Sequence, residues 1–446
     1  MQKFFKLLGK ALANCIGAVL VCSLIAAFAY ISVRNVVAES NGDFGMFWQV
    51  GHKFVINDIA PIYAAAPKAT AESPLDPYLV YFWYPPHLAV MCIPLGLLPL
   101  KASMGVFIAV QVLALLLASF LFSTSINAAG QSAKKSMLAT SIAATTFLPM
   151  GMSISLGQPG VLIAFLPITA AYVAMAKKRY LLAGLILGAL VLKPQFLLPL
   201  ALLAIACVLA AFKARRQARQ QENHFLTSAE LVKLAQGFLL TASVFIGFGL
   251  SIFGAEGYLR WMERLKTSVD FVYAHTGYEG YQEPYELISS LSMAIAFQCQ
   301  NVPTAIVKGL TSLFLFGAGL LVIFLLYRIA SSSLSNRLKL DLTLITALLS
   351  LPVISPYFRL YDLGLVVLAG WIILFGPAIG DKKVHSIAKL LTIAFWLFVD
   401  FRCLLIPQEM ALKLTWINAV FVAGVAIYWL AIALMLQPRA QKKTQL

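Results

Sequence analysis

The sequence predicts an all-α integral membrane protein, a single bundle of about 11–13 transmembrane helices with interfacial helices in its outer loops. Hydrophobic residues make up 61% of the 446 and charged residues only 12%, far from the composition of a soluble domain. Apolar stretches close to membrane-spanning length recur from end to end. No polar stretch is long enough for a soluble domain, so we expect residues 1–446 to form one membrane domain.

The first predicted helix, at 11–33, follows a basic start, and Ala27-Phe28-Ala29 imitates a signal-peptide cleavage site. Its apolar run is longer than a signal core, so a retained helix is predicted. The other candidate helices lie near 84–100, 103–125, 138–155, 161–176, 181–212, 228–252, 304–328, 340–354, 361–379, 384–402 and 415–436. Which segment between 84 and 212 is re-entrant or fused stays open.

The net charge of +16 is distributed in a way that argues against nucleic-acid binding. Basic residues cluster in short connectors such as 213–219 and 328–339, which is the positive-inside pattern of a membrane protein. The acids concentrate instead in two long aromatic segments, the first outer loop (34–83) and the second outer loop (254–287). We expect the functional face on that outer side.

The six cysteines are scattered through the chain, mostly inside apolar runs, without a CxxC or Cys/His cluster. The sequence therefore predicts no disulfide framework and no metal site. The cysteines are Cys15, Cys22, Cys92, Cys207, Cys299 and Cys403.

The first outer loop contains "NGDFGMFWQVGHKF", in which Asp43 lies among Phe44, Phe47 and Trp48. We predict an interfacial helix over Phe44 to Ile56. An acid held against the bilayer surface is costly unless it has a partner or a task. Asp43 is therefore a candidate catalytic acid, although an idle exposed loop acid is the alternative. Asp58 is a second candidate without the aromatic surround.

Three further motifs place polar groups in apolar surroundings: "YFWYPPHLAV" (81–90), "SLGQPG" (155–160) and "LKPQF" (192–196). Pro85 and Pro86 suit a helix start. Lys193 at depth in a membrane needs an anion or a route to water, and snorkelling to the interface is the alternative.

"SPYFRLYDLGL" (355–365) places an arginine where positive charge is otherwise avoided. The guanidinium of Arg359 offers forked donors that suit a phosphate. The alternative is a simple ion pair between Arg359 and Asp362.

Taken in order, the aromatic acid loop with "PIY" (61–63), "YPP", "LGQ", "AGLILGALVLKPQ" and "SPYFRLYD" resemble glycosyltransferase family 87. The resemblance runs from the first helix to about Gly370. It implies the C-type fold of membrane glycosyltransferases that use polyprenyl-phosphate sugars. The implied reaction is inverting transfer of a hexose, mannose by the family label, to a lipid-linked or envelope glycan acceptor outside a bacterial inner membrane.

The resemblance also implies roles for residues. Asp43 matches the position of the general base, and Arg359, Lys193 and Tyr361 are expected to bind the donor phosphate. No cofactor or metal is expected, and the partners are the lipid-linked donor, the acceptor and membrane lipids. The side chains expected to contact substrate are Tyr84, His87, Gln158, Trp48, His275 and Asp362.

Two other functions stay open at this point. A secondary transporter or lipid flippase would also be polytopic, but transporters show internal repeats and acids near the midplane, and this chain has no evident repeat. A non-catalytic scaffold would leave the aromatic acid loop unexplained.

Overall fold

The computed structural model describes residues 43–63, 82–126, 133–216, 226–274, 302–355, 360–377 and 382–405, with residues 424, 427 and 428. The regular structure of these residues is helical, as predicted. The predicted helices at 11–33 and 415–436 lie outside the described residues, apart from those three positions.

The α-helices follow one another along the chain, with shorter helical turns between some of them. They are α1 (Phe44–Val55), α2 (Pro86–Met91), α3 (Ile93–Gly96), α4 (Leu100–Ile126), α5 (Ala133–Thr146), α6 (Leu148–Ser155), α7 (Leu166–Ala176), α8 (Tyr180–Leu187), α9 (Leu198–Arg216), α10 (Ser228–Ala274), α11 (Thr304–Ala330), α12 (Asn336–Ile354), α13 (Val366–Phe375) and α14 (Lys382–Leu405). A π-helical turn (Val161–Phe165) precedes α7, and 3-10 turns cover Gly188–Leu192, Pro194–Leu197 and Leu360–Leu365.

Three helical stretches in the described residues are long and apolar enough to cross a membrane: Leu100–Ile126, Ser228–Lys266 and Ala305–Ala330. The pair Ser136–Thr146 and Leu148–Ser155, bent by 75°, makes a fourth if it is one span. Four shorter apolar stretches accompany them. The chain is thus a helical membrane protein with three or four full-length spans among its described residues, and the total of 11–13 stays a prediction.

Proline explains why two predicted spans are broken. The predicted segment 84–100 contains only α2 and α3, which begin at Pro86 and around Pro94 and together reach about 16 Å, half of a bilayer core. The predicted segment 181–212 changes to 3-10 geometry on both sides of Lys193-Pro194. Proline removes a backbone donor and disfavours helix in the residue before it.

Helix α10 continues beyond its predicted end near 252. Gly254 has a left-handed backbone conformation (φ 62°) inside it, so the helix changes direction there and continues to Ala274. The residues after Gly254 belong to the predicted second outer loop. In this part Trp261 and Arg264 contact the first outer loop, and Tyr258 contacts His87 of α2.

The core forms where α13 packs against α5, α12 and α14 and contacts α4 and the π-helical turn through Trp371. Every residue from Val366 to Ile373 is buried, which suits a helix that is apolar on all sides. Trp371 contacts Phe122 and Phe165 with ring centroids 5.3 and 5.2 Å apart. Asp400 of α14 accepts a hydrogen bond from the Leu148 backbone at 2.8 Å and so caps the start of α6.

The helices connect two ends of the bundle. One end, which we call the Asp43 end, holds Asp43, Tyr84, Gln158, Lys193 and Asp362. The turn from Gly157 to Gly160 starts a helical run that carries the chain about 24 Å to the turn at Lys177 and Lys178. Helix α8 then returns to Lys193.

A buried polar group marks the opposite end of the bundle. Asp341 accepts from the Tyr172 hydroxyl at 2.7 Å and pairs with Arg337 at 3.2 Å. Tyr172 lies near the end of α7, so this group is remote from the Asp43 end.

Candidate functional site

Asp43 is the residue from which α1 begins. The helix predicted over Phe44 to Ile56 is present within one residue, over Phe44–Val55, and it buries Phe44, Phe47 and Val50, while its interfacial position stays a prediction. Asp43 makes no side-chain capping bond to its own helix, so its carboxylate is available for other contacts.

Close backbone contact fixes α1 against α3. A side chain at Gly51 would place its first carbon 2.1 Å from the Cys92 carbonyl oxygen, and one at Gly96 would lie 2.2 Å from the backbone of Gly51. Only glycine permits this approach, and it holds α1 at a fixed position beside the chain that follows Pro85 and Pro86.

A chain of side-chain hydrogen bonds connects Asp43 to two distant motifs. Gln158 donates from Nε2 to Oδ2 of Asp43, and the Tyr84 hydroxyl donates to Oε1 of Gln158 at 3.3 Å. Gln158 is buried with 1% of its surface exposed, whereas Asp43 is half-buried. The structure therefore brings together Asp43, Tyr84 and Gln158, three residues that the sequence analysis selected separately.

Aromatic rings pack around Tyr84, the last residue of the hydrogen-bonded chain from Asp43. Tyr84 lies 5.2 Å from Phe47 and 5.5 Å from Phe82, measured between ring centroids. The Tyr63 hydroxyl donates to the Tyr84 carbonyl at 2.9 Å. Burial raises the pKa of Tyr63 well above its usual range, so its hydroxyl stays protonated and continues to donate.

The part of α10 after Gly254 contacts the same segment from the other side. Arg264 donates to the Ile62 carbonyl at 2.7 Å, and Trp261 donates to the Trp83 carbonyl at 3.0 Å. Neither residue was among the sites predicted from the sequence. The one signal was the motif "GYLRWMERL", which places basic and aromatic residues together in an acid-rich segment.

His87 is held by contacts within the protein. Its Nδ1 lies 2.9 Å from the Tyr258 hydroxyl and its Nε2 lies 2.8 Å from the Val191 carbonyl oxygen. The side chain is 4% exposed. His87 thus joins α2 to α10 and to the turn before Lys193, while its predicted contact with substrate stays a prediction.

Trp48 and Asp58 lie farther along the first outer loop. Trp48 stacks on His52 with centroids 4.8 Å apart and donates from Nε1 to the Leu98 carbonyl at 2.9 Å. Asp58 pairs with Lys53 at 2.7 Å, with 47% of its side chain exposed. An exposed acid neutralised by a lysine is a weaker candidate for a base than Asp43.

Lys193 and Asp362 form a buried ion pair at the same end. Their N–O distance is 2.6 Å, and the two side chains are 2% and 3% exposed. Gln195 donates to the other carboxylate oxygen of Asp362 at 3.1 Å, and the Lys193 ammonium lies 5.0 Å from the Phe196 ring centre. The partner of Asp362 is therefore Lys193, whereas Arg359 was the alternative weighed from the sequence.

Several predicted positions lie outside what the structure describes. Arg359 and His275 fall outside the described residues, and only the backbone of Tyr361 is described, in the 3-10 turn Leu360–Leu365. Within the described part of the chain, no group of three or more His, Cys, Asp or Glu side chains is arranged to hold a metal ion.

One apolar cluster connects the Asp43 group to the Lys193 group. Phe47 of α1 packs in the same cluster as Ile163, which follows Gln158, and Leu192, which precedes Lys193. The Asp43 carboxylate and the Lys193–Asp362 ion pair are therefore held by one packed cluster of side chains rather than by independent loops. A shared cluster fixes the relative position of groups that act on the same molecule.

The comparisons with known proteins identify the family. The family model for glycosyltransferase family 87 matches residues 82–356, more than half of the chain. The match covers the motifs that contain Tyr84, Gln158 and Lys193, whereas Asp43 precedes it. Neither the curated proteins nor the solved structures that were searched contain a match to this chain. The family match confirms the resemblance, and the chain belongs to glycosyltransferase family 87 and is a membrane glycosyltransferase.

Proposed function

We propose that this enzyme transfers a hexose, mannose by the family resemblance, from a polyprenyl-phosphate donor to a hydroxyl of a lipid-linked or envelope glycan. The transfer inverts the anomeric centre and takes place at the outer face of a bacterial inner membrane. The observation that carries the proposal is the half-buried Asp43 carboxylate, which accepts a hydrogen bond from Gln158 of the family-matched region. Gln158 connects it to Tyr84, whose ring packs on Phe47 and Phe82.

Asp43 acts as the general base. The acceptor hydroxyl attacks the anomeric carbon and passes its proton to the Asp43 carboxylate. Because Asp43 is bonded on one oxygen, Oδ2, it is held in place while the other oxygen can accept a proton. The partly exposed ring of Tyr84, which packs on the buried rings of Phe47 and Phe82, provides an apolar face for a sugar and excludes water that would hydrolyse the donor.

The leaving group is the lipid phosphate, which gains negative charge as the glycosidic bond breaks. Cations near that oxygen stabilise the transition state more than the ground state. Because Asp362 already compensates the charge of Lys193, we place the main phosphate contact on Arg359. Lys193, fixed by Asp362, and Tyr361 complete the phosphate site in this proposal.

Inversion requires the base and the leaving group to lie on opposite sides of the sugar ring. Phe47 of α1 and Leu192 belong to one packed cluster, so Asp43 and Lys193 are held on different segments in fixed relative positions. A sugar bound between them would meet the acceptor on one side and the phosphate site on the other.

Purified protein in lipid nanodiscs tests the donor class. We expect radiolabelled synthetic polyprenyl-phosphate mannose to transfer mannose to an octyl mannoside acceptor, with release of polyprenyl phosphate in equal amount. Polyprenyl-phosphate glucose, tested in parallel, reports the choice of hexose, and GDP-mannose is expected to be inactive. Transfer from GDP-mannose alone would overturn the donor assignment. Movement of the labelled glycolipid across the membrane of proteoliposomes without sugar transfer would favour the flippase alternative.

A further inference from the structure

The turn between α6 and the π-helical turn presents Gln158 to the site in a fixed position. Gly157 adopts a left-handed conformation (φ 69°), and the Leu156 carbonyl accepts from the Phe44 backbone at 3.1 Å. The Gln158 backbone donates to the Ser153 carbonyl at 2.8 Å. These contacts dock the turn onto the first residue of α1, directly beside Asp43.

The two hydrogen bonds of the Gln158 side chain define which way its amide faces. An ionised carboxylate only accepts, so the amide nitrogen faces Asp43. The amide oxygen then faces Tyr84, whose hydroxyl donates to it. With 1% of its surface exposed, Gln158 is occupied by protein groups rather than open to a sugar.

We infer that Gln158, oriented by Tyr84, is a positioning residue that acts through Asp43 and does not bind substrate itself. This inference rests on the proposed function of Asp43 as the base. Gln158 fixes one carboxylate oxygen, Oδ2, with a neutral donor and leaves Oδ1 directed to the acceptor. Among the described residues, Oδ1 of Asp43 has no hydrogen-bond donor.

The proton transfer balances without a further reactant. The acceptor O–H bond breaks, its proton goes to Oδ1 of Asp43, and the acceptor oxygen forms a bond to the anomeric carbon. The bond from that carbon to the phosphate oxygen breaks, and its electron pair stays on the lipid phosphate. Gln158 keeps its proton throughout, and its effect is on the geometry of the base.

A double-mutant cycle between Asp43 and Gln158 tests the inference. In the transfer assay with polyprenyl-phosphate mannose and octyl mannoside, Gln158→Ala should lower kcat at least tenfold and leave KM for the donor within twofold. In the Asp43→Asn background, Gln158→Ala should lower the residual rate by less than twofold, because a residue that acts through Asp43 loses its effect when the base is gone. Tyr84→Phe should lower kcat by a smaller factor and add nothing to Gln158→Ala.

A buried glutamine elsewhere provides the matched control. Gln111 of α4 is also fully buried, and its amide atoms have no hydrogen-bond partner among the described residues, so Gln111→Ala should retain wild-type kcat and KM. A higher KM with unchanged kcat in Gln158→Ala would mean that Gln158 binds substrate directly and would overturn the inference. An equal factor of loss in the wild-type and Asp43→Asn backgrounds would overturn it too. Full activity of Asp43→Asn alone would instead refute the base, and with it the proposed function.

Discussion

Gly157→Ala tests whether the turn beside Asp43 is as constrained as the structure indicates. The backbone at Gly157 is left-handed (φ 69°), which costs an alanine about 1–2 kcal/mol. Its added carbon would also lie 2.5 Å from Cβ of Phe44 and 3.0 Å from two of its ring carbons. Relief of such an overlap costs about 1–3 kcal/mol more, because Phe44 is itself buried.

The sum is a loss of about 2–5 kcal/mol in the free energy of unfolding. Part of the strain can be relieved by moving the turn away from α1, which would displace Gln158 from Asp43. We therefore expect turnover to fall at least tenfold in Gly157→Ala protein that is still folded, since small misplacements of catalytic groups are costly.

Thermal unfolding in detergent, followed by transfer assays at a temperature where the variant is folded, separates the two effects. The control is Gly105→Ala, because Gly105 lies in helix α4 with no heavy atom within 4 Å of the added carbon. This control should be neutral or slightly stabilising. If Gly157→Ala matches the control in both melting temperature and turnover, the turn does not position Gln158 against Asp43.

Three further predictions concern the ion pair, His87 and the orientation in the membrane. Lys193→Met or Asp362→Asn alone should each lower the free energy of unfolding by about 3–5 kcal/mol, and the double variant should lose less than either single variant. Losses that simply add would refute the coupling between the two residues. Burial lowers the pKa of His87, so below about pH 6.5 the unfolded chain binds more protons than the folded protein does. The melting temperature should therefore fall between pH 7.5 and pH 5.5, and it should fall less in His87→Gln. In a background without native cysteines, an impermeant thiol reagent should label Ile56→Cys and not Lys178→Cys in intact cells; the reverse pattern would place the Asp43 end inside.

Local pattern was sufficient to predict α1. The sequence analysis predicted a helix over Phe44 to Ile56, and the structure has Phe44–Val55, because the apolar spacing of that segment is itself helical. The family resemblance was likewise predicted from ordered motifs and is confirmed by the match over residues 82–356.

Contacts between distant segments could not be predicted in the same way. Gln158 and Asp43 are 115 residues apart, and Lys193 and Asp362 are 169 apart. Each motif identified a polar group in an apolar setting, but its partner is fixed by helix packing rather than by neighbours in sequence. Arg359 was considered as the partner of Asp362 because it lies three positions away in the sequence. The pairing with Lys193 depends on helix packing, which the sequence does not show.

Helix breaks were also underestimated. The segment 138–155 contains no charged residue and was predicted as one helix, yet it bends by 75° at Phe147. Pro149 has no amide hydrogen with which to continue the preceding helix and is tolerated in the first turn of a new one, and Asp400, distant in sequence, accepts the Leu148 amide hydrogen and so stabilises that helix start. Hydropathy averages over such a bend and does not record it.

The transfer assay on Asp43→Asn, with Asp58→Asn as its matched control, tests the central claim most directly. Both changes keep side-chain size and remove one carboxylate from the first outer loop. We predict that Asp43→Asn lowers kcat about a hundredfold or more while it still binds polyprenyl-phosphate mannose, and that Asp58→Asn, which loses only an exposed pair with Lys53, stays within about twofold of wild type. Wild-type turnover in Asp43→Asn together with an inactive Asp58→Asn would contradict the account and move the base to the other acid.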